Sequence, residues 1–319
     1  MTLKATEHLA ADAAGLARAA ALLGSGGLVS FPTETVYGLG ADARNDRAVA
    51  GIYAAKGRPS FNPLIVHVPD LDAAERFVIF NREARMLAQA FWPGALTIVL
   101  PVRDSAGISK LVTAGLDTLA IRVPDHPVAQ GVLRAFGGPV AAPSANPSGR
   151  VSPTTAAHVL SGLSGRIDAV VDGGACAVGV ESTIVDCAGS PRLLRAGGLP
   201  SEAIEACLGK ALEAGPISDD HAPKAPGLLT SHYAPRGAIR LNATVPEQRE
   251  VMLGFGPVAG DLSLSESGDL TEAAAHLFDC LHRLDAMGAE RIAVAPIPDH
   301  GLGRAINDRL KRAAAPRPA

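Results

Sequence analysis

The sequence predicts an α/β protein of two domains. Short apolar runs of strand character alternate with helical segments from residue 28 to residue 185, and glycine and proline close many of them. A polar, proline-rich stretch then interrupts the alternation near residue 213, before a second and shorter α/β set begins. The 319 residues support the division, because a single hydrophobic core stops growing near this size.

Each element has its own signal. Leu9, Leu16, Leu22 and Leu23 stand among alanines and predict an opening helix over 5–23, stopped by Gly24 and Gly27. Residues 28–31 predict a buried strand, and Pro32 marks its passage into an exposed loop. Asp46 is placed to cap a helix that runs to Lys56 and stops at Gly57 and Pro59. Further strands are expected at 64–68, 96–100, 118–123, 140–142, 169–171 and 182–185. Helices are expected around Ala73 and over 82–89, 126–136 and 154–160. Past the polar stretch, strands are expected at 238–241, 251–255 and 291–296, with helices at 269–287 and 301–314. In the first of these two helices Leu270, Ala274, Leu277, Leu281 and Leu284 recur along one face behind a capping Asp269. The expected organisation is a first domain over 1–212, a linker over 213–237 and a second domain over 238–319.

Composition narrows the function classes. Apolar residues are 47% and charged residues 19% of the chain, enough for buried cores and unlike a disordered protein. A formal net charge of −3 gives no global attraction to nucleic acid, so RNA contact would need a local patch. Cys176, Cys187, Cys207 and Cys280 have no paired short spacing, which argues against a zinc site or a disulfide framework. With no leader pattern and no apolar run of membrane-spanning length, a cytoplasmic protein with no membrane partner is expected.

Three polar clusters carry the chemistry. In Pro32-Thr33-Glu34-Thr35-Val36-Tyr37-Gly38-Leu39-Gly40, extended backbone would turn the hydroxyls of Thr33, Thr35 and Tyr37 to one cavity, although these types are equally favoured in strands for packing. Lys56-Gly57-Arg58-Pro59, followed by Asn62-Pro63, suits a polyanion; cations at a helix C-terminus are also favourable to its dipole alone. The segment 141–149 brings Ser144 and Asn146 to one side if extended, while Ser and Asn beside prolines also form turns. Neither a Gly-x-x-x-x-Gly-Lys-Ser/Thr loop nor a helix-opening Gly-x-Gly-x-x-Gly is present, so a nucleotide would be held in another way.

Taken together and in order, these clusters resemble the YrdC/Sua5 family of threonylcarbamoyl-AMP synthases. Asn62-Pro63-Leu64-Ile65-Val66-His67, Trp92-Pro93-Gly94-Ala95-Leu96-Thr97, Arg122-Val123-Pro124, Ser144-Ala145-Asn146-Pro147-Ser148-Gly149 and Gly179-Val180-Glu181-Ser182-Thr183-Ile184-Val185-Asp186 extend the resemblance over nearly all of 10–207. Ala225-Pro226-Gly227, Ser231-His232-Tyr233-Ala234-Pro235 and 301–309 resemble the linker and second-domain end of the long, Sua5-type form, with Leu228-Leu229-Thr230 a departure from the more polar stretch of many relatives.

The resemblance implies a YrdC-like twisted mixed-sheet catalytic domain followed by a smaller Rossmann-like α/β Sua5 domain. It implies an enzyme that makes threonylcarbamoyl-AMP and pyrophosphate from L-threonine, bicarbonate-derived CO2 and ATP. The product would serve the downstream tRNA threonylcarbamoyl-transferase machinery that modifies adenosine 37. Lys56 and Arg58 are expected to act on the triphosphate, with Asn62, Thr118, Ser144, Asn146, Ser152, Arg195 and Tyr233 completing the ATP site. Thr35, His67, Arg122, Ala142 and Ser182 are expected to hold threonine. Mg2+ would ride on the phosphates with no protein metal ligand, so Glu34 and Glu181 receive no ligand role. Read singly, His67 fits a core histidine and Arg195 a structural ion pair. Two other readings stand beside this one: an RNA-binding module, with direct tRNA contact left open, and a carbamoyl-adenylate-forming maturation factor, whose extra domains and paired cysteines are missing.

Overall fold

The fold is given by a computed structural model that describes residues 5–59, 62–214 and 230–316. Eleven strands form one mixed sheet in the order Glu7–Ala10, Ala169–Asp172, Val29–Pro32, Tyr37–Asp42, Val140–Ala141, Ile65–His67, Thr118–Arg122, Leu96–Pro101, Thr183–Asp186, Arg192–Arg195 and Glu213–Ala214. Adjacent residues point to opposite faces, so Val140 joins one core and Ala141 another. The first core packs Val29 and Phe31 against Ala19 and Leu23 of helix Ala13–Gly24 and Val132 of helix Pro127–Phe136. The second packs Leu39, Val66, Ile98 and Ile121 against Ile52, Leu87 and Val159 of three further helices. Each such aliphatic side chain contributes about 1.5–3 kcal/mol when fully buried.

The C-terminal part has its own four-stranded parallel sheet, ordered Ala238–Arg240, Arg291–Val294, Val251–Gly254 and Leu262–Ser263. Helices Leu270–Ala286 and Leu302–Ala314 pack on it. Leu277, Phe278 and Leu281 share one apolar cluster with Val36, Val151 and Val180 of the first sheet's loops, so the two parts join through a common core. Gly179 makes this approach possible: a Cβ there would stand 2.4 Å from the Ala274 carbonyl oxygen, and its φ of +75° suits glycine.

Several expectations need correction. The opening helix begins at Ala13, because Asp12 caps it by accepting from the Gly15 amide; Glu7–Ala10 is instead a strand beside Ala169–Asp172. The segment after Pro32 is not an exposed loop. Thr33 to Val36 is a buried turn, and Tyr37–Asp42 returns antiparallel to Val29–Pro32. Glycines hide this strand from propensity; a Cβ on Gly40 would lie 2.7 Å from the Phe31 ring and 2.9 Å from Val140. Asn45 rather than Asp46 caps the next helix, accepting from Arg47 and Ala48. Helix Ala156–Leu163 starts later than expected because Thr155 caps it. Strand Arg192–Arg195 and helix Ser201–Leu208 had no separate signal. The linker-like segment Ala225-Pro226-Gly227 and the departure at Leu228-Leu229 lie outside the described residues. No helix among those described is long and apolar enough to cross a membrane.

Candidate active site

Strand register assembles the cavity. His67 stands opposite Arg122 on parallel neighbours, and Ile65, two residues before His67, shares its face; all three line one pocket. The turn after Val29–Pro32 adds Thr33 and Thr35, the exit of Val140–Ala141 adds Ala142 and Ser144, and the start of Thr183–Asp186 adds Glu181 and Ser182. Arg58, Arg195, His232 and Tyr233 complete the wall.

One half of the cavity is built around Arg122. Its Nη2 donates to Glu34 Oε1 at 2.5 Å, Nη1 to Thr35 Oγ1 at 2.9 Å and Nε to the Gly94 carbonyl at 3.2 Å. Glu34 Oε2 accepts from the Asp125 amide at 3.1 Å, and Thr33 Oγ1 lies 2.8 Å from Thr35 Oγ1. Each terminal nitrogen of Arg122 keeps a second hydrogen for a planar anion such as a carboxylate. Burial, then the Arg122 charge, pushes His67 down to about 3, so its imidazole is neutral at physiological pH. Its Nδ1 is buried with no partner among the described residues. Ser182 Oγ lies 2.8 Å from Thr97 Oγ1.

The other half is cationic. Lys56 ends helix Asp46–Lys56, beyond which Gly57 turns into the left-handed region; its buried Nζ donates to the carbonyls of Ser144 and Asn146. Burial first, and Arg58 second, lowers its pKa well below the ordinary value. Arg58 donates to the carbonyls of Asn62 and Pro63 and is lowered by burial to about 10, so it stays charged near neutrality. Arg195 Nη2 reaches the Ser182 carbonyl at 2.8 Å. Among these cations Glu181 is a buried carboxylate: Oε1 accepts from Ser152 Oγ at 2.5 Å and Oε2 from Arg309 Nε at 2.9 Å. Burial would raise its pKa, but Arg309, Arg195 and Ser152 bring it below the usual carboxylate value. More cations than carboxylates converge here, which favours a polyanion.

The structure does not bring every expected residue to the wall. Lys56 and Ser152 lie behind it, acting on Ser144 and Glu181. Asn62 is buried, and neither amide atom has a partner among the described residues. Asn146 donates to the Pro147 and Arg150 carbonyls and faces a neighbouring cavity beside His158 and His282. Thr118 sits at the far end of its strand, opposite Pro101, away from the pocket. The expected shared cavity for three hydroxyls holds for Thr33 and Thr35; Tyr37 instead donates to the Gly174 carbonyl.

Comparisons with known proteins give the chain its family. The Sua5/YciO/YrdC family model, whose description reads "Telomere recombination", matches residues 21–197. The model for the threonylcarbamoyl-AMP synthase C-terminal domain matches 199–315. The chain is 43% identical to a threonylcarbamoyl-AMP synthase of Bacillus subtilis over 98% of its own length and 96% of the relative's. It is 39% identical to one of Pyrococcus abyssi over 93% of each. Its fold superposes on the crystal structure of P. abyssi Sua5 complexed with L-threonine with a TM-score of 0.89 at 37% identity, covering 97% of both chains. The chain belongs to the Sua5/YrdC family of threonylcarbamoyl-AMP synthases. Its mixed sheet is the YrdC-like part, and the four-stranded sheet with its helices is the Sua5-type addition.

For this Sua5-type chain, sequence reasoning left Glu34 and Glu181 unassigned and gave Arg309 no role. Both carboxylates flank residues already singled out, Thr35 and Ser182, which was the available signal. Arg309 ends the segment 301–309 that resembles the end of the second domain, but that resemblance gives it no role, and an arginine in an amphipathic helix ordinarily faces water. Among the described residues, no group of three His, Cys, Asp or Glu side chains is set to hold a metal.

Proposed function

We propose that this chain condenses L-threonine, CO2 from bicarbonate and ATP into threonylcarbamoyl-AMP, with release of pyrophosphate. The observation that carries the reading is that the cations Arg58 and Arg195 and the Arg122–Thr35–Ser182 group line one pocket. Arg122, with Thr35 and Ser182, takes the threonine carboxylate and hydroxyl, and backbone at Ala142 closes the subsite. Neutral His67 is an acceptor near the amine, which needs a free lone pair to attack CO2. One carbamate oxygen then attacks the α-phosphorus, and pyrophosphate leaves in line. No covalent protein nucleophile is required; positioning and charge stabilisation do the work. Arg58 and Arg195 neutralise the triphosphate, and Lys56 holds the Ser144–Asn146 segment against it. Asn62, whose amide atoms have no partner among the described residues, is a further nucleotide contact, and Mg2+ enters on the phosphates. Residues 213–237 act as the connector that carries His232 and Tyr233 to the pocket. The enzyme works in the cytoplasm, and its product passes to the tRNA threonylcarbamoyl-transferase machinery.

Purified protein supplied with ATP, Mg2+, bicarbonate and single amino acids should release pyrophosphate and an adenylate with threonine preferred. Arg58→Ala should lower turnover by about 10²–10³ and leave the circular dichroism spectrum unchanged. Near-normal turnover in that variant would remove the phosphate clamp. Tight, steeply salt-dependent RNA binding without ATP or threonine would favour an RNA-reading module instead.

A further inference from the structure

We infer that Arg309, on the last helix, is a positioning residue for the nucleotide half of the pocket, acting through Glu181 and Tyr233. The inference rests on the activity proposed above and names how the second domain takes part in it.

Arg309 is fully buried, among the apolar neighbours Ile306 and Leu310 of its own helix. Taking a guanidinium out of water costs several kcal/mol, and an apolar side chain would pack such a position without that cost. Its contacts explain what it does there. Nε donates to Glu181 Oε2 at 2.9 Å, and Nη1 donates to the Ala196 carbonyl at 2.7 Å and to Asp308 Oδ2 at 2.8 Å. Glu181 precedes Ser182 and Ala196 follows Arg195, so one side chain ties together the two segments that present Ser182 and Arg195 to the pocket. Arg195 in turn bonds the Ser182 carbonyl, closing the tie.

Tyr233 depends on the same group. Its backbone φ is +60°, a left-handed conformation that disfavours an aromatic residue. The ring is held by the second domain: the Arg309 Cζ lies 5.3 Å from its centroid, and Phe278 stacks at 5.6 Å with planes inclined by 27°. Each oxygen of Glu181 accepts a hydrogen bond, from Ser152 and Arg309, and the two contacts fix the orientation of the carboxylate. Arg309 does not line the pocket and acts on substrate only through these neighbours.

Arg309→Met leaves Glu181 unpaired and can fail to fold, so the decisive variant removes both charges. Glu181→Leu with Arg309→Met deletes the buried pair, a change that is often neutral for stability. The double variant should melt cooperatively and bind the ATP analogue AMP-PNP, measured without threonine or bicarbonate, at least about tenfold more weakly, with the KM for ATP raised in parallel and the KM for threonine raised less, through Ser182 alone. Arg309→Lys, which keeps the charge and loses the fork, should fall between. A folded double variant that binds AMP-PNP as tightly as wild type overturns the inference and makes the pair purely structural. A wild-type protein that yields no threonine-dependent pyrophosphate, yet binds AMP-PNP tenfold better than the double variant, removes the reaction and keeps the positioning role.

Discussion

Arg122 and Arg309 are both buried guanidiniums paired with a buried carboxylate, but Arg122 lines the pocket whereas Arg309 reaches it only through Glu181. Arg122 is held by Glu34, Thr35 and Gly94, all supplied by the first sheet and its loops. Arg309 arrives from the last helix, 128 positions along the chain from Glu181. The Arg122 guanidinium is therefore held within one domain, whereas the segments that present Ser182 and Arg195 are tied together only when the second domain docks. Such a division lets one substrate site be preformed and makes the other depend on an interdomain contact.

The largest expected effect separates the halves most sharply. Arg122→Met strands Glu34 without its cation, which should cost about 3–5 kcal/mol in denaturant unfolding. In whatever fraction stays folded, the threonine KM should rise at least about 100-fold while AMP-PNP affinity stays near wild type. An equal loss for both ligands would mean that the halves are not independent.

Phe278→Leu is a smaller perturbation on the other side. It shrinks the ring stacked on Tyr233 and should cost roughly 1–1.5 kcal/mol of stability, with a few-fold rise in the ATP KM and no change for threonine. A threonine effect in this variant would join the halves through Tyr233.

The smallest effect reads the docking surface itself. His158 of the first domain stacks on His282 of the second with centroids 3.9 Å apart, and Asp279 Oδ1 lies 3.6 Å from His158 Nε2. Burial, and then the adjacent imidazole, pushes His158 down to about 4; burial also lowers His282. Between about pH 6.5 and about 4 the unfolded chain binds protons that the folded interface refuses, so stability falls as the pH drops through that window and levels below it. Screening at this partly open interface limits the change to about 1 kcal/mol. Melting curves at stepped pH should show it, and His158→Gln should flatten it. An unchanged slope in that variant would assign the acid sensitivity elsewhere.

Much of the first domain was legible because its signals are local. Leu64 to Val68 contain strand Ile65–His67, and Lys56 ends its helix where Gly57 and Pro59 said it would. The Arg122, Thr35 and Ser182 group was readable from motifs whose order along the chain resembles a known family. Tyr37–Asp42 was not, because Gly40 serves the close packing of Phe31 and Val140 and Gly38 lies against Ala142, and close packing leaves no trace in strand propensity. Thr118 illustrates the opposite limit: it lies on the strand that carries Arg122, but at the end away from the pocket.

The sequence by itself determined the α/β alternation, the second α/β set after residue 213 and most of the pocket's side chains, since periodicity, caps and short motifs act over a few residues. Only the tertiary structure decided that Glu34 and Glu181 anchor buried arginines and that Arg309 turns inward. Whether a buried charge is tolerable depends on partners brought from distant segments, and the free energy of that pairing exists only once the domains have packed.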